Sequence, residues 1–190
     1  MADERVKIPF RSSVPVALRR PTDVFQDDPL NNTDDGSVST FRVYDPSVDE
    51  VLSEDVSIAG TTWEVTSAGL FKVGDIVELT MNDLDLHFTT ITVVTEADGT
   101  ITVDTGPTVA ADEDRRCRVA LGPEVAMAEF GTPKAGDDDW GFVGTLSSTY
   151  PGLTIGRDVD INIFFVGAVA GGLDLLEIIC ATVTDPCEET

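Results

Sequence analysis

The chain has 190 residues, with 35 Asp or Glu against 12 Lys or Arg and a formal net charge of −23. So negative a field repels phosphate backbones and anionic lipid, which argues against direct nucleic-acid or membrane binding. An apolar share of 42% is too high for a wholly disordered chain, and one His with three Cys leaves few groups for acid–base or nucleophilic work near neutral pH.

Residue usage points to strands. Val (23) and Thr (22) suit a pleated, half-buried surface, and Asp outnumbers Glu 23 to 12, a bias toward turns and caps over helix. The sequence therefore reads as all-β: an extended arm and acidic linker over 1–40, a small β-barrel or sandwich over 41–122, and a second β-rich unit over 123–190.

Residues 1–22 differ from the rest. They hold five basic residues against two acidic ones, a local charge of +3, whereas the remaining 168 residues carry −26. Pro9, Pro15 and Pro21 each remove a backbone donor and push the preceding residue toward extended conformations, so the reading is a strand-like arm. A basic, extended arm on an acidic chain is suited to an acidic neighbour, and Arg5, Lys7, Phe10, Arg11, Arg19 and Arg20 are its candidate partner-binding residues. Residues 23–35 read as a loop, with Asp34-Asp35-Gly36 as a turn.

Strands are expected at 39–44, 62–66, 76–80, 89–94, 101–104 and 117–121, with 67–75 as a connecting turn. Asp98-Gly99 is the strongest hairpin signal in the chain. Short strands at this spacing indicate a small barrel or sandwich. In the last third, 159–165 alternates, placing Asp158, Asp160 and Asn162 on one face and Val159, Ile161, Ile163 and Phe165 on the other. Residues 167–172 read as a turn and 173–183 as the returning strand, apolar on both faces apart from Glu177.

Three constellations invite a chemical reading. Asp83-x-Asp85-x-His87 aligns two carboxylates and the single imidazole, yet no second His or Cys completes a transition-metal shell, so a solvated strand face is the preferred reading and no metal is expected. The run 112–118 passes from acidic to basic residues, and Arg115, Arg116 and Arg118 fit either an ion-pair patch between subunits or pairing within the chain surface. Asp137-Asp138-Asp139 lacks the spacing and closing Glu of a calcium loop. The aromatics after it, Trp140 and Phe142, fit either a contact anchor or core packing, and Phe164 with Phe165 marks a further candidate subunit interface.

Cys117, Cys180 and Cys187 show no C-x-x-C spacing. Met1-Ala2-Asp3-Glu4-Arg5 has no apolar stretch of the secretory kind, so a reducing cytoplasm is the expected site of synthesis. No nucleophile elbow, phosphate loop or zinc-protease helix occurs. The expectation is a non-enzyme without a cofactor.

The Pro-studded arm through Arg20-Pro21 resembles extended arms that join subunits of tailed-bacteriophage virions. The run Trp63-Glu64-Val65-Thr66-Ser67-Ala68-Gly69-Leu70-Phe71-Lys72-Val73-Gly74-Asp75-Ile76-Val77-Glu78-Leu79, closed by Gly99-Thr100-Ile101-Thr102-Val103, resembles small β-barrel modules of phage head and neck proteins. Gly141 through Gly156, with Tyr150-Pro151-Gly152-Leu153, and then the hairpin to Val183 are similar to sheets of trimeric virion proteins. The resemblance implies a virion structural protein assembled in the host cytoplasm, foremost a capsid decoration or cement protein. Its partners would be the major capsid protein or other virion subunits, and it would form a homo-oligomer, with a trimer favoured. A head–tail connector or a tail or baseplate ring protein is the first alternative. A receptor- or carbohydrate-binding tail module using Trp140, Phe142 and Tyr150 is the second.

Overall fold

The computed structural model describes residues 5–19, 38–130, 141–166 and 173–185. The linker at 23–35, Arg20, Asp137-Asp138-Asp139, Trp140, the turn at 167–172 and Cys187 lie outside the described residues.

The fold is all-β. In chain order the strands are β1 (Val6–Pro9), β2 (Val14–Arg19), β3 (Val38–Val51), β4 (Thr62–Glu64), β5 (Ile76–Thr80), β6 (Leu86–Thr95), β7 (Thr100–Val103), β8 (Arg116–Ala120), β9 (Val125–Ala126), β10 (Ala128–Phe130), β11 (Gly141–Leu146), β12 (Asp158–Val166) and β13 (Leu173–Thr184). Helix is confined, among the described residues, to single 3-10 turns at Ala68–Leu70 and Glu96–Asp98. The chain divides into two compact units, one of residues 1–43 with 122–190 and the other of residues 44–121. The arm and the last third of the sequence thus fall in one unit.

The unit of 44–121 is an antiparallel sheet in the order β3, β8, β5, β6, β7, β4. Alternation sends Val77, Leu79, Ile91, Ile101, Val103, Cys117 and Val119 to one side, where they bury Trp63 and Phe71. Burial of such side chains contributes about 1.5–3 kcal/mol each. The sheet curls until its ends meet. Ser53 N–H donates to the Glu64 carbonyl at 2.9 Å and Thr66 N–H to the Val51 carbonyl at 3.1 Å, around an isolated bridge between Leu52 and Val65. A single bridge is not a continuous ladder, so this is not a closed barrel.

Strand β3 runs further than its alternation indicates because it absorbs Pro46 in a bulge. Register passes from Tyr44 opposite Ala120 to Asp49 opposite Arg118, leaving extra residues on β3. The Asp45 carboxylate secures the bulge, accepting from Ser47 N–H at 3.0 Å and Ser47 O–H at 2.6 Å. At the Asp98-Gly99 hairpin the chain makes a 3-10 turn before Gly99, whose φ of 68° is the left-handed conformation glycine accepts.

The other unit has two sheets. In the larger, β1 lies parallel on β13, β13 pairs antiparallel with β12, and β12 neighbours β3, which also carries β9. The smaller sheet is β10, β11, β2. Ile8, Phe41, Val159, Ile161, Ile163, Ala181 and Val183 are buried from the larger sheet, and Val16, Phe142 and Leu146 from the smaller. The sheets meet closely at Gly144, where a Cβ would lie 2.8 Å from the Phe41 ring.

Candidate functional site

Among the described residues, the buried charged side chains meet in the 44–121 unit. Strand pairing sets Glu78 of β5 directly opposite Arg118 of β8, on the sheet face away from Val77 and Leu79. Arg118 donates from Nε and Nη2 to Glu78 Oε1 at 3.0 and 2.6 Å, and Tyr44 O–H donates to Oε2. The guanidinium also lies over the Tyr44 ring, 4.0 Å from its centroid. Glu78 is 1% exposed and Arg118 7%. A carboxylate this deeply buried requires a charge partner and satisfied oxygens, and it has both.

Arg116 extends the group toward solvent. Its Nε and Nη2 fork onto Asp49 Oδ1 and Oδ2 at 2.5 and 2.6 Å. Hydrogen bonding from Arg116 holds the Asp49 carboxyl below its ordinary range, burial opposes this, and the Arg116 and Arg118 charges reinforce it. Cys117 points the other way, into the core, where desolvation pushes its thiol far upward, with the Glu78 and Glu50 carboxylates adding to the effect. The chemical consequence is closure: two acids, two guanidiniums and a phenol neutralise one another. Such a group fixes the register of β3, β8 and β5; it offers no free base or nucleophile.

Nothing local marks Tyr44 or Glu78 in the sequence, since their partners lie 34 and 40 residues apart along the chain. The outward position of Glu78 between the buried Val77 and Leu79 was the available signal. Of the three arginines proposed for a subunit contact, Arg118 is committed to Glu78 and Arg116 to Asp49, while Arg115 Nε donates to Asn82 Oδ1 at 3.1 Å. The alternation of acids and bases at 112–118 therefore serves pairing inside the unit.

His87 contacts Thr105 and Trp63. Its Nε2–H donates to the Thr105 carbonyl at 2.9 Å, and its ring meets Trp63 edge-on at 6.1 Å. Asp83 Oδ1 accepts from Asp85 N–H at 3.2 Å, a turn contact.

In the other unit, the arm residues are strands of the chain's own sheets. Arg5 approaches Asp158 at 3.7 Å and Asp160 at 3.6 Å, so its charge is shared with β12. Lys7 and Arg11 are exposed, and Arg11 stacks over Phe10 at 5.3 Å. The backbone of Arg19 ends β2. Phe142 is fully buried and Phe164 is 3% exposed. Both belong to the unit's interior, which corrects their assignment to a subunit interface: Phe142 lies on the buried face of β11, and β12 is buried on both faces where its register shifts between Ile163 and Phe164. The backbone of Phe165 lies in β12. Tyr150 is buried as well, its O–H donating to the Pro123 carbonyl at 2.7 Å, and so presents no sugar-binding platform.

No protein-family model matches the chain, and no curated protein sequence matches it.

Proposed function

We propose that the chain is a non-enzymatic structural protein of a tailed-bacteriophage virion, acting as a capsid decoration protein, with its 44–121 unit a small barrel-like module. The observation that supports this reading most is the fate of the ionisable groups. The buried charged side chains among the described residues, Glu78 and Arg118, are locked together as a strand fastener, while Lys7 and Arg11 stand exposed at the sheet edge of an otherwise acidic chain. Such a layout suits a body that docks on neighbours through a basic edge and repels packaged DNA. Repeated weak contacts on a lattice would then add through avidity.

Immunogold labelling of purified particles, with antibody against this chain, tests the reading. Label spread over heads supports decoration. Label at the neck or tail transfers the chain to the connector or tail reading, and particles without label remove both.

A further inference from the structure

We infer that this chain associates with further copies of itself head to tail, a basic aromatic turn of one copy seating on an acidic, aliphatic rim of the next. The turn joins β1 to β2. Phe10 N–H donates to the Thr184 carbonyl at 2.8 Å, Ser12 N–H to the Pro9 carbonyl at 3.2 Å, and Ser148 N–H to Ser13 Oγ at 3.3 Å. These bonds fasten the turn at both ends. Between them Arg11 takes a left-handed φ of 60°, uncommon for a residue with a side chain, and its guanidinium stacks on Phe10 in the open.

The rim belongs to the 44–121 unit. Segment 107–111 is held on one side by Val56, paired with Ala111 at 2.7 and 3.0 Å, and by Ala59 N–H on the Pro107 carbonyl at 2.8 Å. On its other side Asn82 N–H donates to the Ala110 carbonyl at 3.0 Å. The loops on the two sides carry Ile58, 65% exposed, and Leu84, 66% exposed. Leu84 and Ala59 both have positive φ, 72° and 59°, so backbone strain is retained where apolar side chains face water. Exposed acids Asp55, Asp112 and Glu113 border them, and the nearby cation, Arg115, is engaged with Asn82.

The complementarity names the occupant. The rim offers aliphatic surface ringed by negative charge, and the turn offers an aromatic ring topped by a guanidinium, with Lys7 exposed on the adjacent strand. Because the two patches are different surfaces of one chain, their contact is heterologous and propagates as a ring or a filament. This self-association assigns a second copy to the basic edge on which the virion reading also draws, and labelling of particles tests that reading separately.

Sedimentation velocity on the full chain, across concentration and salt, decides the matter. Wild-type mass is expected to rise with concentration up to about 100 μM and to fall with added salt. Arg11→Glu and Glu113→Arg should each weaken association about tenfold or more, and the double variant should restore most of it. Leu84→Gly removes the aliphatic contact while relieving the positive φ, so it should stay folded by circular dichroism and still lose about tenfold in association. A wild-type protein that stays monomeric overturns the inference. So does association that Arg11→Glu and Leu84→Gly leave unchanged, or that the double charge swap fails to restore.

Discussion

Arg118 and Glu78 face each other across β8 and β5, and both guanidinium donors converge on one carboxylate oxygen, leaving the other to the Tyr44 phenol. Because the pair is buried, its two halves are not equivalent to remove singly and together. Glu78→Leu strands the guanidinium and is expected to cost about 3–5 kcal/mol in urea unfolding. Glu78→Leu with Arg118→Met should recover most of that loss, since no charge is then left without a partner. Tyr44→Phe should cost about 1.5–3 kcal/mol, the range for a hydrogen bond to a charged group. Additive losses in the double variant would show that the pair is not closed on itself.

Asp49 sets an acid-side dependence. Its folded-state pKa lies below its unfolded value, through hydrogen bonding from Arg116, so the stability it contributes is complete above an unfolded value of about 3.9 and is lost as pH falls through the lower folded value. At the exposure of this pair, 43% for Asp49 and 46% for Arg116, solvent screening holds the contribution at neutral pH below about 1 kcal/mol. Asp49→Asn should therefore destabilise slightly at pH 7 and match the wild type once both are below the folded pKa. A carbon-13 titration giving Asp49 an ordinary midpoint would contradict this.

Cys117 should resist thiol reagents. Only the thiolate reacts, and burial raises this thiol far above its usual range. Iodoacetamide at pH 8 with peptide mapping should leave Cys117 unmodified in the folded chain and label it in urea. Labelling of the folded chain at the rate seen in urea would place Cys117 outside the core.

Two glycines separate space from conformation. At Gly106 an added Cβ would lie 2.3 Å from the Ala59 carbonyl carbon and 2.6 Å from the Gly60 carbonyl oxygen, both backbone atoms. Gly106→Ala is expected to cost about 3 kcal/mol or more, since no side chain can move aside. At Gly99 the nearest atom is 3.6 Å away and only the positive φ opposes a side chain, so Gly99→Ala should cost about 1 kcal/mol. Thermal melts that rank the two in the opposite order would refute the close approach.

What the sequence discloses here is local. Alternation at 76–80 and 159–165 and the Asp98-Gly99 pair mark strands and a turn, because side-chain period and left-handed backbone are decided within a few residues. The prolines at 9 and 15 likewise mark extended backbone, and both lie in strands. Their pairing partners are another matter: β1 lies on residues 181–184 and β2 on 141–146, and no local pattern encodes register over such separations. The same limit hides the Tyr44–Glu78–Arg118 group. It is also why Phe142 and Phe164 read as contact anchors, since an aromatic in an alternating run looks alike whether a partner or the chain's own second sheet covers it.

The parallel pairing of Val6–Pro9 with Ala181 to Thr184 orders events during synthesis. The 44–121 unit is one continuous stretch and has all its strands once Leu121 has left the ribosome. The other unit must hold β1 in waiting until β13 emerges, so this short strand, with the Ile8 side chain that the finished sheet buries, stays unpaired through most of translation. Slow elongation late in the message would lengthen that exposure, and chaperone capture would be concentrated on chains stalled between β12 and β13.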